Sequence, residues 1–177
     1  MSDGIEEALG RNREFAARGG HKGQIVFPTL RLFVVTCIDP RTDPAHFLGL
    51  DLSDALVLRN AGGRVTPEVI DDVAFIAQLA EGAIADGPLF EVAIVHHNQC
   101  GTGALVDDDF RHRYAERIGA EETELRERAV LDPAATVRHD VDLLRSAPQI
   151  PDRVRVSGHV YDVVSGLVET VVPTAAA

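Results

Sequence analysis

Three short apolar runs punctuate the first hundred residues: "RLFVVTC" at 31–37, "DALVLRN" at 54–60 and "EVAIVHH" at 91–97. Each is rich in Val, Leu and Ile, each ends in loop-forming residues, and each is followed by apolar positions at helical spacing. Strand, loop and helix repeating in that order predict an α/β fold. Its centre is a mostly parallel β-sheet, with strands buried on both faces and helices flanking it.

Helix starts are marked by local chemistry. Asp43-Pro44 and Thr66-Pro67 are cap-then-proline entries, and Val69, Val73, Ile76, Ala77 and Ala80 give the second of these helices an inward face. Asp107 to Ile118 reads as a helix closed by Gly119, and Asp132-Pro133 opens another carrying Val137, Val141 and Leu144; both are expected to flank the sheet. From Val154 to Val172 the pattern alternates around Ser165-Gly166, predicting a hairpin that ends the sheet. At the N-terminus Asp3 can cap a helix, with Glu6 three residues on and Ile5, Ala8, Leu9, Phe15 and Ala16 on one face, before Gly19, Gly20 and Gly23 break the pattern. The expected organisation is one domain over 1–177: an N-terminal arm at 1–23, an α/β core at 24–172 and a loose tail at 173–177.

Composition narrows the partners. A net charge of −11 without any Lys/Arg cluster repels phosphate backbones and anionic lipid surfaces, so neither nucleic acid nor membrane is an expected partner. The first twenty residues are charged throughout and resemble no secretory signal, which points to the cytoplasm. Two cysteines are too few for a disulfide scaffold and read better as ligand, nucleophile or filler.

Both cysteines stand where a strand gives way to a loop: Cys37 in "VVTCIDPRTDP" and Cys100 in "VHHNQCGTG". In open α/β sheets the loops at the carboxyl ends of strands converge on ligands. Cys37, His97 and Cys100 supply three of the four tetrahedral ligands that zinc prefers, and the soft sulfurs disfavour magnesium or calcium. Asp39 and Arg41 follow Cys37 at two-residue steps, so all three can turn towards one place, with the guanidinium keeping the carboxylate ionised and oriented.

The paired motifs Cys37-Ile-Asp39-Pro-Arg41 and His97-Asn-Gln-Cys100-Gly101, with "VLRNAGG" at 57–63 between them and "GHVYDVVSG" near the end, resemble the β-class carbonic anhydrases. "HHNQCG" followed by "DDDF" is most similar to short actinobacterial members. The resemblance, which runs from about residue 25 to 172, implies Zn2+ on Cys37, His97 and Cys100, with Asp39 and Arg41 as the catalytic dyad gating the fourth position. It also implies a homodimer or dimer of dimers whose N-terminal helix embraces the partner. Leu56, Ala61 and Gly101 are candidates for the wall of the substrate pocket. Pro40, Asn98 and Gln99 depart from the family's usual residues, which bears on the hydrogen bonds around the ligands rather than on the ligands.

The implied reaction is reversible hydration of CO2 to bicarbonate and a proton through zinc-bound hydroxide, zinc bringing the pKa of its water towards about 7. Two anionic thiolates donate more charge than imidazoles, so the rate is expected to rise with pH. Other readings stay open at this stage. The same zinc site can hydrolyse carbonyl sulfide or carbon disulfide, and a non-catalytic protein can bind zinc or bicarbonate through it. The cysteines can be buried filler or a disulfide, and Asp39 with Arg41 an ordinary surface ion pair. His96 competes with His97, although strand alternation sends the two to opposite faces and the motif register selects His97. Asp107, Asp108 and Asp109 read as a helix-start cluster rather than a metal site, and the Gly-x-Gly of "CGTGAL" lacks the third glycine of a nucleotide-binding turn.

Overall fold

A computed structural model describes residues 4–177; the expected cap at Asp3 lies outside them. The elements in chain order are α1 (Gly4–Ala17), β1 (Leu32–Cys37), α2 (Pro44–Phe47), β2 (Ala55–Asn60), α3 (Pro67–Glu81), β3 (Phe90–His97), α4 (Asp108–Ile118), α5 (Glu122–Glu127), α6 (Pro133–Arg145), β4 (Val154–Tyr161) and β5 (Val168–Ala176), with 3-10 turns at Ala61–Gly63 and Gly101–Val106. The strands form one sheet in the order β2-β1-β3-β4-β5, parallel except for β5, which runs antiparallel to β4.

The caps expected from the sequence are made. Asp43 accepts from the Ala45 amide, Thr66 from Val69, Asp107 from Phe110, and Asp132 from Ala134 and Ala135, each satisfying amides that a helix start leaves unpaired. Gly119 closes α4 in the left-handed conformation at φ 67°, where a side chain would be strained. The main core lies on one face of the sheet, where Val69, Val73 and Ala77 of α3 and Val137, Val141 and Leu144 of α6 meet Val35, Val92, Ile94 and Val156. Burying each of the Val, Leu and Ile side chains among them contributes roughly 1.5–3 kcal/mol.

Three expectations are corrected. Helix α4 does not flank the sheet: it buries only Arg111 and Ala115, and with α5 and the 101–106 turn it closes a small separate core around Leu105, Leu125 and Ala129. Its sequence is too polar to offer the sheet a continuous apolar stripe. Strand β2 is only half-buried, since it forms the sheet's edge. Residues 173–176 are not a loose tail but the end of β5, with Ala175 opposite Val156 and Ala176 opposite Arg155. Pairing there satisfies main-chain groups that β4 would otherwise expose along its outer edge. The hairpin is turned by Gly166 at φ 75°.

Helix α1 buries none of its residues, and Ile5 and Leu9 stand exposed. No helix among the described residues is long and apolar enough to cross a membrane.

Candidate metal centre

Strands β1 and β3 are parallel neighbours, so both release their chains at the same edge of the sheet. Cys37 ends β1 and His97 ends β3, and a short loop returns Cys100 beside them. One ligand atom from each lies within 4.8 Å of the other two, and all three side chains are buried. Among the described residues no other set of His, Cys and acidic groups gathers this tightly.

The detailed geometry separates the three readings of the cysteines. Their sulfurs are 3.9 Å apart, far beyond a disulfide's roughly 2.05 Å. Two sulfurs bound tetrahedrally at about 2.3 Å would stand about 3.8 Å apart. Filler would leave no polar atom in want of a partner, yet His97 Nε2 is buried and makes no hydrogen bond. His97 Nδ1 donates to the Asn98 carbonyl at 2.8 Å, which leaves the lone pair on Nε2. The donor set fits zinc.

Hydrogen bonds also stabilise the sulfurs as thiolates. Cys37 Sγ accepts from the Asp39 amide at 3.4 Å. Cys100 Sγ receives the Thr102 hydroxyl at 3.2 Å, which itself accepts from the Val130 amide. Without metal, the hydrogen bond with Cys37 draws the Cys100 thiol down, and the same bond, followed by burial, pushes Cys37 up.

Asp39 stands outside this cluster, and Arg41 holds both its oxygens. That pair lowers the Asp39 pKa to about 2, the Arg41 hydrogen bond outweighing the effect of burial. Arg41 also donates to the Gln99 carbonyl at 3.0 Å, tying the two ligand loops together, and Gln99 adopts φ 54° to present it. Asn98 donates to Asp162 at 2.8 Å and accepts from the Val163 amide. The departures at 98 and 99 therefore anchor the loop in their own way.

Arg59 received no role from the sequence. Its guanidinium donates to the carbonyls of Cys37 at 3.0 Å and Asp39 at 2.8 Å and to the Asp43 carboxylate at 3.1 Å, fixing the loop that carries the first ligand. Only its place in β2, one strand from Cys37 in the sheet, hinted at this. His96 points to the opposite face, towards Thr136, Gly63 and Asp140. Asp107 caps α4 and Asp108 pairs with Arg111, so the acidic triplet is no metal site.

Ala61 and Gly101 line an apolar cavity of about 530 Å³ beside the cluster, together with Leu58, Val69, Leu105 and Phe110. Leu56 is not brought there. It lines a smaller cavity with Phe27, Ile76 and Phe90 at the other end of β2, roughly 13 Å along the strand from Asn60.

Residues 32–168 match the family model described as carbonic anhydrase. Beta-carbonic anhydrase 1 of Mycobacterium tuberculosis is 30% identical over 95% of this chain and 98% of its own. A carbon disulfide hydrolase of Acidianus sp. is also 30% identical, over 92% of this chain and 86% of its own. The crystal structure of a carbonic anhydrase from Streptococcus mutans superimposes with a TM-score of 0.80 at 30% identity, covering 97% of this chain and 99% of that one.

Proposed function

The chain belongs to the β-carbonic anhydrase family, and on that footing we propose that it interconverts CO2 and bicarbonate at a zinc ion held by Cys37, His97 and Cys100. Zinc bound there supplies the Lewis acidity that makes water a nucleophile near neutral pH. Three protein ligands are the number that catalytic zinc sites use, a fourth being the mark of closed structural ones.

The chain's own residues supply the rest. Asp39, kept ionised by Arg41, accepts a hydrogen bond from the attacking water and orients it. Because Arg41 takes both carboxylate oxygens, Asp39 is restrained from becoming a ligand itself. Arg59 and Thr42 fix the carbonyls of Cys37 and Asp39, so that ligand and carboxylate keep their relative positions. Ala61 and Gly101 offer apolar surface against which CO2, which has no dipole, can rest.

The observation that carries this reading is the pair of sulfurs at 3.9 Å facing a buried imidazole nitrogen that has no partner. Its test is stopped-flow CO2 hydration on protein of measured zinc content, with Cys100→Ala as control. Turnover in the parent and its loss in the variant are expected; equal rates would sink the mechanism. The apolar cavity and the carbon disulfide hydrolase relative favour a second reading, hydrolysis of CS2 or carbonyl sulfide at the same site. Sulfide release from CS2 outpacing CO2 hydration would select it.

The assembly we propose is a homodimer or dimer of dimers. Helix α1 buries none of its residues on its own subunit, and Ile25, Val26, Phe27 and Leu30 after it are exposed, which supports a second copy as their cover. Two thiols poised as ligands rather than joined support a reducing, cytoplasmic setting.

A further inference from the structure

Behind the metal cluster, across the 61–63 turn, lies a second polar cluster that the chemistry above does not use. Asp140, in the middle of α6, is fully buried. Its Oδ1 accepts from Arg64 Nη2 at 2.9 Å, and its Oδ2 from Arg64 Nε at 2.8 Å and the Val65 amide at 2.9 Å. His96 Nε2 stands 3.3 Å from the same Oδ2 and 3.2 Å from the Gly63 carbonyl. Both neighbours only accept, so Nε2 carries a proton, and Nδ1 lies 2.8 Å from the Thr136 hydroxyl oxygen.

A buried carboxylate costs several kcal/mol to desolvate, and apolar packing alone would seat α6 on the sheet. What the carboxylate gathers is specific. Arg64, the Val65 amide and, through His96, the Gly63 carbonyl all belong to the turn leaving β2. Asn60 brackets the same turn, accepting from the Arg64 amide at 2.9 Å and donating to the Arg64 carbonyl at 2.8 Å. That turn touches the metal ligands. Gly63 lies so flush against β1 that a Cβ would come within 2.8 Å of Thr36 and 2.9 Å of the Cys37 nitrogen. Gly62 also abuts Thr102, whose hydroxyl serves Cys100.

We propose that Asp140 is a positioning residue for the metal: through Arg64, the Val65 amide and His96 it holds the 61–65 turn flush against the main chain that carries the Cys37 sulfur. It thereby sets the affinity of the cluster for zinc and the charge that sulfur donates. This rests on the cluster holding zinc, and not on which substrate is turned over. Partners around metal ligands commonly change affinity by roughly 10–100-fold when lost.

The test compares the parent, Asp140→Asn, Asp140→Glu and Val141→Ala, the last loosening the same helix without touching the network. Zinc affinity is measured by competition with a chromophoric chelator, and the sulfur-to-metal charge-transfer band is recorded on cobalt-loaded protein. Asp140→Asn is expected to weaken zinc binding about tenfold or more and to move the band, Asp140→Glu to recover part of both, and Val141→Ala to do neither at a similar loss of thermal stability. An Asp140→Asn variant within about twofold of the parent, with an unmoved band, would overturn the proposal, as would Val141→Ala weakening zinc equally. Should Asp140→Asn not fold, Thr136→Val removes the partner of His96 and is expected to weaken zinc in the same direction by less; an unchanged affinity and band there would also overturn it. A parent that binds neither zinc nor cobalt overturns the zinc reading itself, and this proposal with it.

Discussion

Arg41 grips Asp39 by both carboxylate oxygens, Nε on Oδ1 at 3.0 Å and Nη2 on Oδ2 at 2.7 Å. The pairing makes one group of two, and it fixes when the carboxylate carries charge. With its pKa held at about 2, below the usual value near 4, Asp39 is ionised throughout the pH range of enzyme assays. Its contribution to stability is present above the unfolded value and is lost as pH falls through the folded one. Replacing Arg41 by Met is expected to return the Asp39 pKa towards its ordinary range, visible in a carboxyl-carbon NMR titration, and to lower kcat/KM about tenfold or more. An unmoved titration would show that something other than Arg41 keeps Asp39 charged.

Zinc binding should depend steeply on pH. Without metal, the bond with Cys100 and burial push the Cys37 thiol up, and a metal that takes both sulfurs as thiolates must displace its proton. Affinity is expected to rise about tenfold per pH unit through neutrality. Chelator competition at several pH values measures the slope, and a flat line would mean that one sulfur is not a thiolate ligand.

Gly63→Ala tests the close approach of the turn to β1. The added carbon would lie 2.8 Å from Thr36 C and 2.9 Å from Cys37 N, at a φ of 67° that side chains rarely adopt. Overpacking of this kind costs about 1–3 kcal/mol. Because the displaced atoms carry a metal ligand, zinc content should fall together with the melting temperature. A variant of parental stability and full zinc content would show that the turn has room to retreat.

Deleting α1 should leave the two cores intact, since it contributes no buried residue to either. Sedimentation is expected to show the parent as a dimer or larger and the shortened chain as a smaller species with unchanged secondary structure by circular dichroism. A parent that sediments as a monomer would refute the assembly.

Much of this was legible in the sequence because it is local. A strand buried in a parallel sheet is a continuous apolar run, and Asp43, Thr66, Asp107 and Asp132 each cap a helix within three residues of themselves. Cys37 and His97 were legible because they end strands, and Cys100 because it follows the end of β3 by three residues. What was hidden depends on distant partners. The caps of α4 mark where the helix starts and stops but not that it meets α5 instead of the sheet, and alanines at 175–176 become strand only because β4 has an edge to fill. Leu56 shows which way it faces and not how far along the strand the metal lies. Arg59 and Asp140 act on main-chain atoms of loops whose course no side-chain pattern records.

The three proposed zinc ligands all lie in the first hundred residues, ahead of β4, and that has a consequence for biosynthesis. Every zinc ligand has left the ribosome before β4, whose Tyr161 pairs with His97, has begun to be made. During that interval the nascent chain presents two thiols and an imidazole on a half-built sheet, open to metal capture and to oxidants alike.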